Sequence, residues 1–99
     1  MARRVSPSVS HHEALTRRLK NSKYAAKYLT ACLEDGDESF LLALREVAEA
    51  HGGIRKLAAR THLNREHLFR MLSNSGNPEF HSMREIVGGL GLKLALQPA

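Results

Sequence analysis

Residues 54–73 carry the pattern that most constrains what this chain can fold into. Apolar residues recur at helical spacing on both sides of a short polar stretch, which predicts two short helices joined by a tight turn. Leu57 supplies an inward contact on the first helix, and Leu68 and Leu72 lie on one face of the second. Asn64 precedes the second helix, where its side chain can accept a hydrogen bond from the first turn. This arrangement predicts a helix-turn-helix.

The outer face of the predicted second helix is polar and carries Arg65, Glu66 and Arg70. In a helix-turn-helix the second helix enters the major groove of DNA, so this face would meet base edges. The same spacing also fits an ordinary helical hairpin whose arginines are only solvated. On periodicity alone the two interpretations are equally good.

Composition describes a small domain without internal cross-links. A chain of 99 residues forms one domain with a modest core. Cys32 is the single cysteine, so no disulfide can form within the chain, and we expect an intracellular, cytoplasmic protein. No apolar run approaches the length needed to cross a bilayer, so we expect no membrane association.

Charge is distributed unevenly along the chain, which has a net charge of +5. Residues 1–23 carry six Lys or Arg against one acid, and residues 54–99 carry seven against three. Residues 24–53 carry two against six. The predicted helix-turn-helix therefore lies in a basic third of the chain, which favours phosphate binding. The acidic middle would be repelled by DNA, so it is either a solvated face or a surface for a basic protein.

The sequence as a whole predicts an all-α, compact helical bundle preceded by a basic tail. Residues 1–21 are interpreted as that tail, with a short helix starting from a Ser-x-x-Glu capping box at residues 10–13. Residues 22–99 are the predicted DNA-binding domain. Ser22 and Asp37 are expected to cap its first two helices.

The C-terminal region predicts a last helix from Phe80 to Leu90 and then a short β-strand, because apolar residues alternate between positions 92 and 96. A lone strand in a helical chain has no ladder partner. We therefore expect it to pair with a second copy of the chain in a homodimer. The residues expected at this dimer interface are Ile86, Leu90, Leu92, Leu94 and Leu96.

Seven short segments stand in an order and spacing typical of one known family. They are YAAKYL at 24–29, LEDGD at 33–37, FLLAL at 40–44, LNRE at 63–66, LFRMLS at 68–73, GNP at 76–78 and LGLKL at 90–94. From about His12 to Gln97 the chain resembles the addiction-module antidote family, HigA-like antitoxins with a Cro/lambda-repressor-type helix-turn-helix. The resemblance implies an antitoxin encoded beside a small RelE/HigB-like toxin, which it binds and neutralises while repressing the shared operon.

The resemblance to lambda-type repressors also assigns roles within the motif. Arg65 and Glu66 begin the recognition helix and would reach base edges, with Arg70 one turn further on. Arginine pairs best with guanine, and glutamate can accept from cytosine. An intrahelical pair between Glu66 and Arg70 is an equally good interpretation. The residues expected at double-stranded DNA, including the phosphate contacts, are Arg55, Lys56, Asn64, Arg65, Glu66, His67, Arg70, Ser73 and Asn74.

The acidic middle of the chain is the predicted contribution to a basic toxin's binding site. Its candidate residues are Glu34, Asp35, Asp37 and Glu38. A free-standing, phage-like repressor without a toxin partner is the alternative function, and the sequence does not separate the two.

An enzyme is the competing class of protein. Cys32 lies on an apolar helical stripe, where a buried structural thiol is expected. The histidines show no spacing typical of metal ligands, and no glycine-rich phosphate loop is present. We therefore expect no catalytic activity, no metal site and no cofactor.

Overall fold

The computed structural model describes residues 7–73 and 76–99, and every regular element in those ranges is an α-helix. The prediction of an all-helical fold is confirmed. Asn74, a predicted phosphate contact, lies outside the described residues. The helices are α1 (Pro7–Leu19), α2 (Ser22–Asp35), α3 (Asp37–Ala50), α4 (Gly53–Arg60), α5 (Arg65–Met71) and α6 (Phe80–Gly89).

Helix α3 forms the centre of the fold because most of its surface is apolar. Leu44 and Val47 are completely buried, and the helix contacts α1, α2 and α4. Burying a leucine or valine side chain contributes about 1.5–3 kcal/mol to folding. A polar contact adds to this packing, since His51 Nε2 lies 3.0 Å from the carbonyl oxygen of Leu19. The ends of α1 and α3 are thereby held together.

Two asparagine side chains cap the helices that follow them. Asn64 Oδ1 accepts a hydrogen bond of 2.7 Å from the backbone N–H of His67, as the sequence predicted. Asn21 Oδ1 accepts one of 3.0 Å from the N–H of Tyr24. The predicted cap at Ser22 is therefore wrong by one position, because Ser22 is already the first residue of α2.

Two other predicted helix starts are also corrected. Helix α1 begins at Pro7, so the expected capping box at residues 10–13 lies inside the helix. Proline suits a first helical position because its missing N–H would have no partner there. Gly36 precedes α3 with a φ of 153°, a backbone conformation that favours glycine, and Asp37 is the first helical residue rather than its cap.

The predicted β-strand over residues 92–96 is wrong. No strand occurs in the described part of the chain, and residues 92–99 form an irregular C-terminal segment. Within that part, the last backbone hydrogen bond of the chain runs from the N–H of Leu92 to the carbonyl of Val87. The apolar alternation was real, but a strand needs a neighbouring strand to pair with, and a helical chain supplies none.

The C-terminal leucines have different environments. Ile86 and Leu90 are buried in the chain's own core, and Leu92 packs against that core. Leu94 remains 44% exposed and Leu96 is fully exposed. The burial of Ile86 and Leu90 thus needs no second copy, and the predicted dimer interface is left with the two exposed leucines.

Across residues 7–73 and 76–99, none of the helices has both the length and the apolar character required to cross a membrane.

Candidate nucleic-acid interface

Helices α4 and α5 form a tightly joined pair. They contact each other, and Leu57 of α4 and Leu68 of α5 are both buried in the core. The connection over residues 61–64 is fixed by Thr61, whose hydroxyl donates to the carbonyl of Leu57 at 3.0 Å and accepts from the N–H of Leu63 at 3.2 Å. The orientation of α5 is therefore set by packing and by hydrogen bonds within the turn.

Helix α5 divides into an inner and an outer face. Leu68 and Met71 are buried, and the residues on the opposite side are exposed. Helical spacing places three side chains close together on that outer side: Glu66, Phe69 and Arg70. Arg65 flanks them at the start of the helix and is also exposed. The structure therefore brings the predicted base-reading residues onto one surface.

The beginning of α4 faces this surface across an open cleft of about 720 Å³. Arg55 lines one side of the cleft, and Arg65 and Glu66 line the other. Lys56, the residue after Arg55 in α4, is also exposed. Its side chain lies over Gly52, so a methyl group added at Gly52 would collide with Lys56 Cδ. Cationic side chains from both helices thus stand around one concave surface.

The alternative intrahelical pair between Glu66 and Arg70 does not form in the structure. In the part of the chain that the structure describes, neither Glu66 nor Arg70 forms an ion pair. Both Glu66 and Arg70 are exposed to solvent and available to an outside partner.

Three further predicted contacts have restricted roles. The side-chain oxygen of Asn64 is engaged in capping α5. The hydroxyl of Ser73 donates to the carbonyl of Arg70 at 2.7 Å, and this residue is half-buried. His67 is exposed and lines a separate shallow concavity with Arg70 and Ser73. Of the three, only His67 has a side chain that is both exposed and without an internal hydrogen bond in the part of the chain described.

Phe69 is the residue that sequence reasoning missed. Its side chain is 67% exposed on the outer face of α5, and it lines the α4–α5 cleft together with Ile54. The available signal was its position four residues after Arg65, which places the two side chains on adjacent parts of one helix surface. The sequence pattern alone assigned Phe69 neither to the core nor to the DNA-binding face.

A second exposed surface lies at the junction of α2 and α3. All four predicted toxin-binding acids, Glu34, Asp35, Asp37 and Glu38, are exposed there. Asp35 accepts a hydrogen bond from the hydroxyl of Ser39, and the structure gives the other three no such side-chain partner in the described residues.

An apolar groove of about 330 Å³, which we call the junction groove, borders these acidic residues. Leu33 is 52% exposed and Phe80 is 72% exposed, both unusually high for large apolar side chains. Asp37 lines the same groove, so an acidic group and apolar groups share one surface. The apolar residues that line it are Leu33, Phe40, Leu41, Phe80, Met83 and Leu94.

Tyr28, Cys32 and Glu46 form a small polar cluster between α2 and α3. The hydroxyl of Tyr28 donates to Glu46 Oε1 at 2.6 Å. Burial, reinforced by this bond to a carboxylate, raises the pKa of Tyr28 well above its usual range. Burial and the nearby charge of Glu46 also raise the pKa of the Cys32 thiol. The thiol is thereby held in its protonated, less nucleophilic form. No group of His, Cys, Asp or Glu side chains suited to a metal ion occurs in the residues described.

Comparison with known proteins identifies relatives along most of the chain. A family model described as "Probable addiction module antidote protein" matches residues 10–98. An uncharacterized protein of Haemophilus influenzae is 34% identical over 71 residues, covering 71% of this chain and 72% of that protein. No solved structure matches the chain significantly. The family match spans nearly the whole sequence, and the chain therefore belongs to the addiction module antidote family.

Proposed function

We propose that this protein is an antitoxin that represses its own operon by binding DNA through α4 and α5, and that it neutralises a RelE/HigB-like toxin. Membership of the antidote family supports the antitoxin role and implies a toxin partner. The observation that carries the DNA-binding part is the outer face of α5, where Arg65, Glu66 and Arg70 are exposed on a helix anchored by buried residues. In this role α4 and α5 are a helix-turn-helix of the Cro/lambda-repressor type.

Each side of the cleft has its own role in this mechanism. Helix α5 enters the major groove, where Arg65 and Arg70 donate to guanine and Glu66 accepts from cytosine. Arg55 and Lys56, at the start of α4, bind the phosphate backbone and set the register of the protein on the duplex. Because the base-reading helix is held by core packing, its side chains meet the groove with little rearrangement.

The acidic junction and the junction groove are the proposed toxin surface. A basic toxin would pair with Glu34, Asp37 and Glu38, and an apolar side chain of the toxin would enter the groove beside them. Charge pairing steers the partners together, while the buried apolar contact supplies most of the affinity. This surface and the α4–α5 cleft involve different residues, so the protein could hold toxin and DNA at the same time.

Selection from a pool of random DNA duplexes tests the DNA-binding function directly. The purified protein should enrich a pseudo-palindromic sequence and bind it far more tightly than a scrambled duplex of equal length. Binding measured by fluorescence anisotropy should weaken steeply as salt is raised, because phosphate contacts release counterions. Failure to enrich any sequence, with equal affinity for all duplexes, would contradict sequence-specific repression.

A free-standing repressor without a toxin partner remains the alternative. The two functions differ in what happens when the protein is co-expressed with the product of an adjacent small reading frame. An antitoxin should co-purify with that product and restore growth that the product alone arrests. A repressor without a toxin would do neither while still binding its operator. In either case we propose that the protein acts in the cytoplasm, at the nucleoid, as a binding protein without catalytic activity.

A further inference from the structure

Phe69 is a large aromatic side chain in an unexpected position. It is 67% exposed and stands at the edge of the outer face of α5, beside Arg65 and Arg70. The core of the protein is complete without it. Together with the half-buried Ile54 it forms a small apolar patch among the charged DNA-binding candidates, which suits contact with a partner.

The surroundings of Phe69 narrow the kind of partner. It lines one cleft with Arg55, Arg65 and Glu66, so whatever covers it must also accept two guanidinium groups. Ile54, at the start of α4, adds a second apolar wall to the same cleft. A partner surface rich in hydrogen-bond acceptors, with an apolar group among them, would complement these side chains.

The major groove of DNA has this composition. Its edges carry hydrogen-bond donors and acceptors, and its one apolar group is the 5-methyl of thymine. Apolar side chains distinguish thymine from the other bases by contact with that methyl group. Phenylalanine has no hydrogen-bonding group, so the methyl is the feature of a base edge that it can read.

We propose that Phe69 is a specificity-determining residue that contacts the 5-methyl group of a thymine, with Ile54 forming the second wall of the contact. The inference rests on the proposed DNA-binding function and names a feature of its operator. The operator half-site then contains a thymine next to the base pair read by Arg65. Mutating Phe69 changes the preference at that thymine and leaves the guanine preference of Arg65 in place.

The test uses the duplex that the protein itself selects from a random pool, prepared in two forms. One form contains thymine, and the other contains deoxyuridine at single thymine positions, which removes one methyl group and keeps every hydrogen-bonding group. For one of these positions, the wild-type protein should bind the uracil duplex roughly fourfold more weakly than the thymine duplex, because the buried contact with about one methyl group is lost. Phe69→Ala should lose most of this difference between the thymine and uracil duplexes, with only the Ile54 wall of the contact left.

Two control variants make this assignment specific. Arg65→Ala should bind both forms more weakly but keep the thymine-to-uracil ratio of the wild type. Phe69→Leu retains an apolar side chain and should keep part of the preference for the thymine duplex over the uracil duplex. Because Phe69 is outside the core, these variants should show wild-type circular dichroism and thermal unfolding.

The possible outcomes separate this inference from the function on which it rests. If no duplex is selected, the DNA-binding function itself fails. If a duplex is selected but no single uracil substitution weakens binding, Phe69 does not read a methyl group and the inference is overturned. It is also overturned if Phe69→Ala keeps the wild-type ratio, because another residue then makes the contact.

Discussion

Arg65 and Lys56 carry the same charge but have different tasks in the proposed complex, and single substitutions separate them. Arg65→Ala should cost about 1–3 kcal/mol on the selected operator and much less on scrambled DNA, because it removes a base contact. Lys56→Ala should weaken binding to both duplexes similarly and lower the slope of log affinity against log salt by about one. Titrations of each variant against both duplexes at several salt concentrations measure these effects.

Lys27→Ala is the matched control for lost charge. Lys27 is exposed on α2, outside the α4–α5 pair. Its removal should leave both affinities nearly unchanged. Equal losses on operator and scrambled duplex for Arg65→Ala would assign that residue to phosphate and would contradict the proposed placement of α5 in the major groove.

The sequence predicted the charged residues of the candidate DNA interface but not its exposed phenylalanine, Phe69. Helical spacing was enough to place Arg65, Glu66 and Arg70 on the outer face of α5, and that face is exposed as expected. The same spacing could not show whether Phe69 points inward, because it lies between the two faces and apolar residues are usually buried. The part of the circumference of α5 that is covered depends on its packing against α4, which the local sequence does not show.

Two adjacent glycines near the end of α6 should respond oppositely to substitution by alanine, because only one of them packs against α4. Gly89 lies where α6 meets α4, and a methyl group there would be 2.7 Å from both Leu57 Cδ1 and Thr61 Cγ2. Gly88 has no atom within 4 Å of the same position and is exposed. Gly89→Ala should therefore lower the free energy of unfolding by about 1–3 kcal/mol through overpacking. Gly88→Ala should raise it by roughly 0.5–1 kcal/mol, since alanine favours the helix.

Urea denaturation of the two variants measures this difference, and each glycine is the other's control. The Gly89 variant should also bind operator less tightly, because the displaced α4 carries Arg55 and Lys56. If both alanines stabilise the protein, α4 and α6 can separate without cost, and the close packing of α6 on α4 does not constrain the interface.

Element boundaries show which physical signals are readable from sequence. The cap at Asn64 was predicted correctly because one side chain and the following turn determine it. The start of α1 was placed too late, since a capping box inside a helix has the same letters as one at its start. The C-terminal strand was predicted from alternation alone, and strand formation depends on a pairing partner that lies outside the local sequence.

Across the whole molecule, separate surfaces for toxin and DNA predict separable defects. Glu34→Lys should weaken toxin binding severalfold, because it replaces an attractive charge on the proposed toxin surface with a repulsive one. Operator affinity should stay nearly intact. Glu34 lies in the last turn of α2, where a lysine suits the helix dipole, so lost binding would not reflect unfolding. Calorimetric titration with the adjacent gene's product and anisotropy with the operator measure the two affinities.

Glu13→Lys provides the control, because it makes the same charge change on the exposed side of α1. It should leave toxin binding unaffected. Phe80→Ser is a second variant, which alters the apolar wall of the junction groove. If neither Glu34→Lys nor Phe80→Ser changes toxin affinity, the toxin binds elsewhere, and the basic N-terminal region is the next candidate.

The exposed C-terminal segment leads to a prediction about the assembly state of the protein. Leu94 and Leu96 are exposed on a segment whose backbone groups after Leu92 make no internal hydrogen bond within the described residues. Exposed apolar side chains on such a segment favour contact with a second copy of the chain. We expect a homodimer in which the two α5 helices reach half-sites about 34 Å, or about 10 base pairs, apart.

Leu94→Asp combined with Leu96→Asp tests this arrangement, since both side chains are exposed and the change should not disturb the core. The double variant should be monomeric by light scattering and should bind the full operator more weakly, while keeping wild-type affinity for an isolated half-site. Leu42→Asp, a change at a leucine that is 47% exposed on α3, is the control and should remain dimeric. A wild-type protein that is already monomeric at tens of micromolar contradicts the dimer. The operator would then be read either by one copy or by two that meet only on DNA.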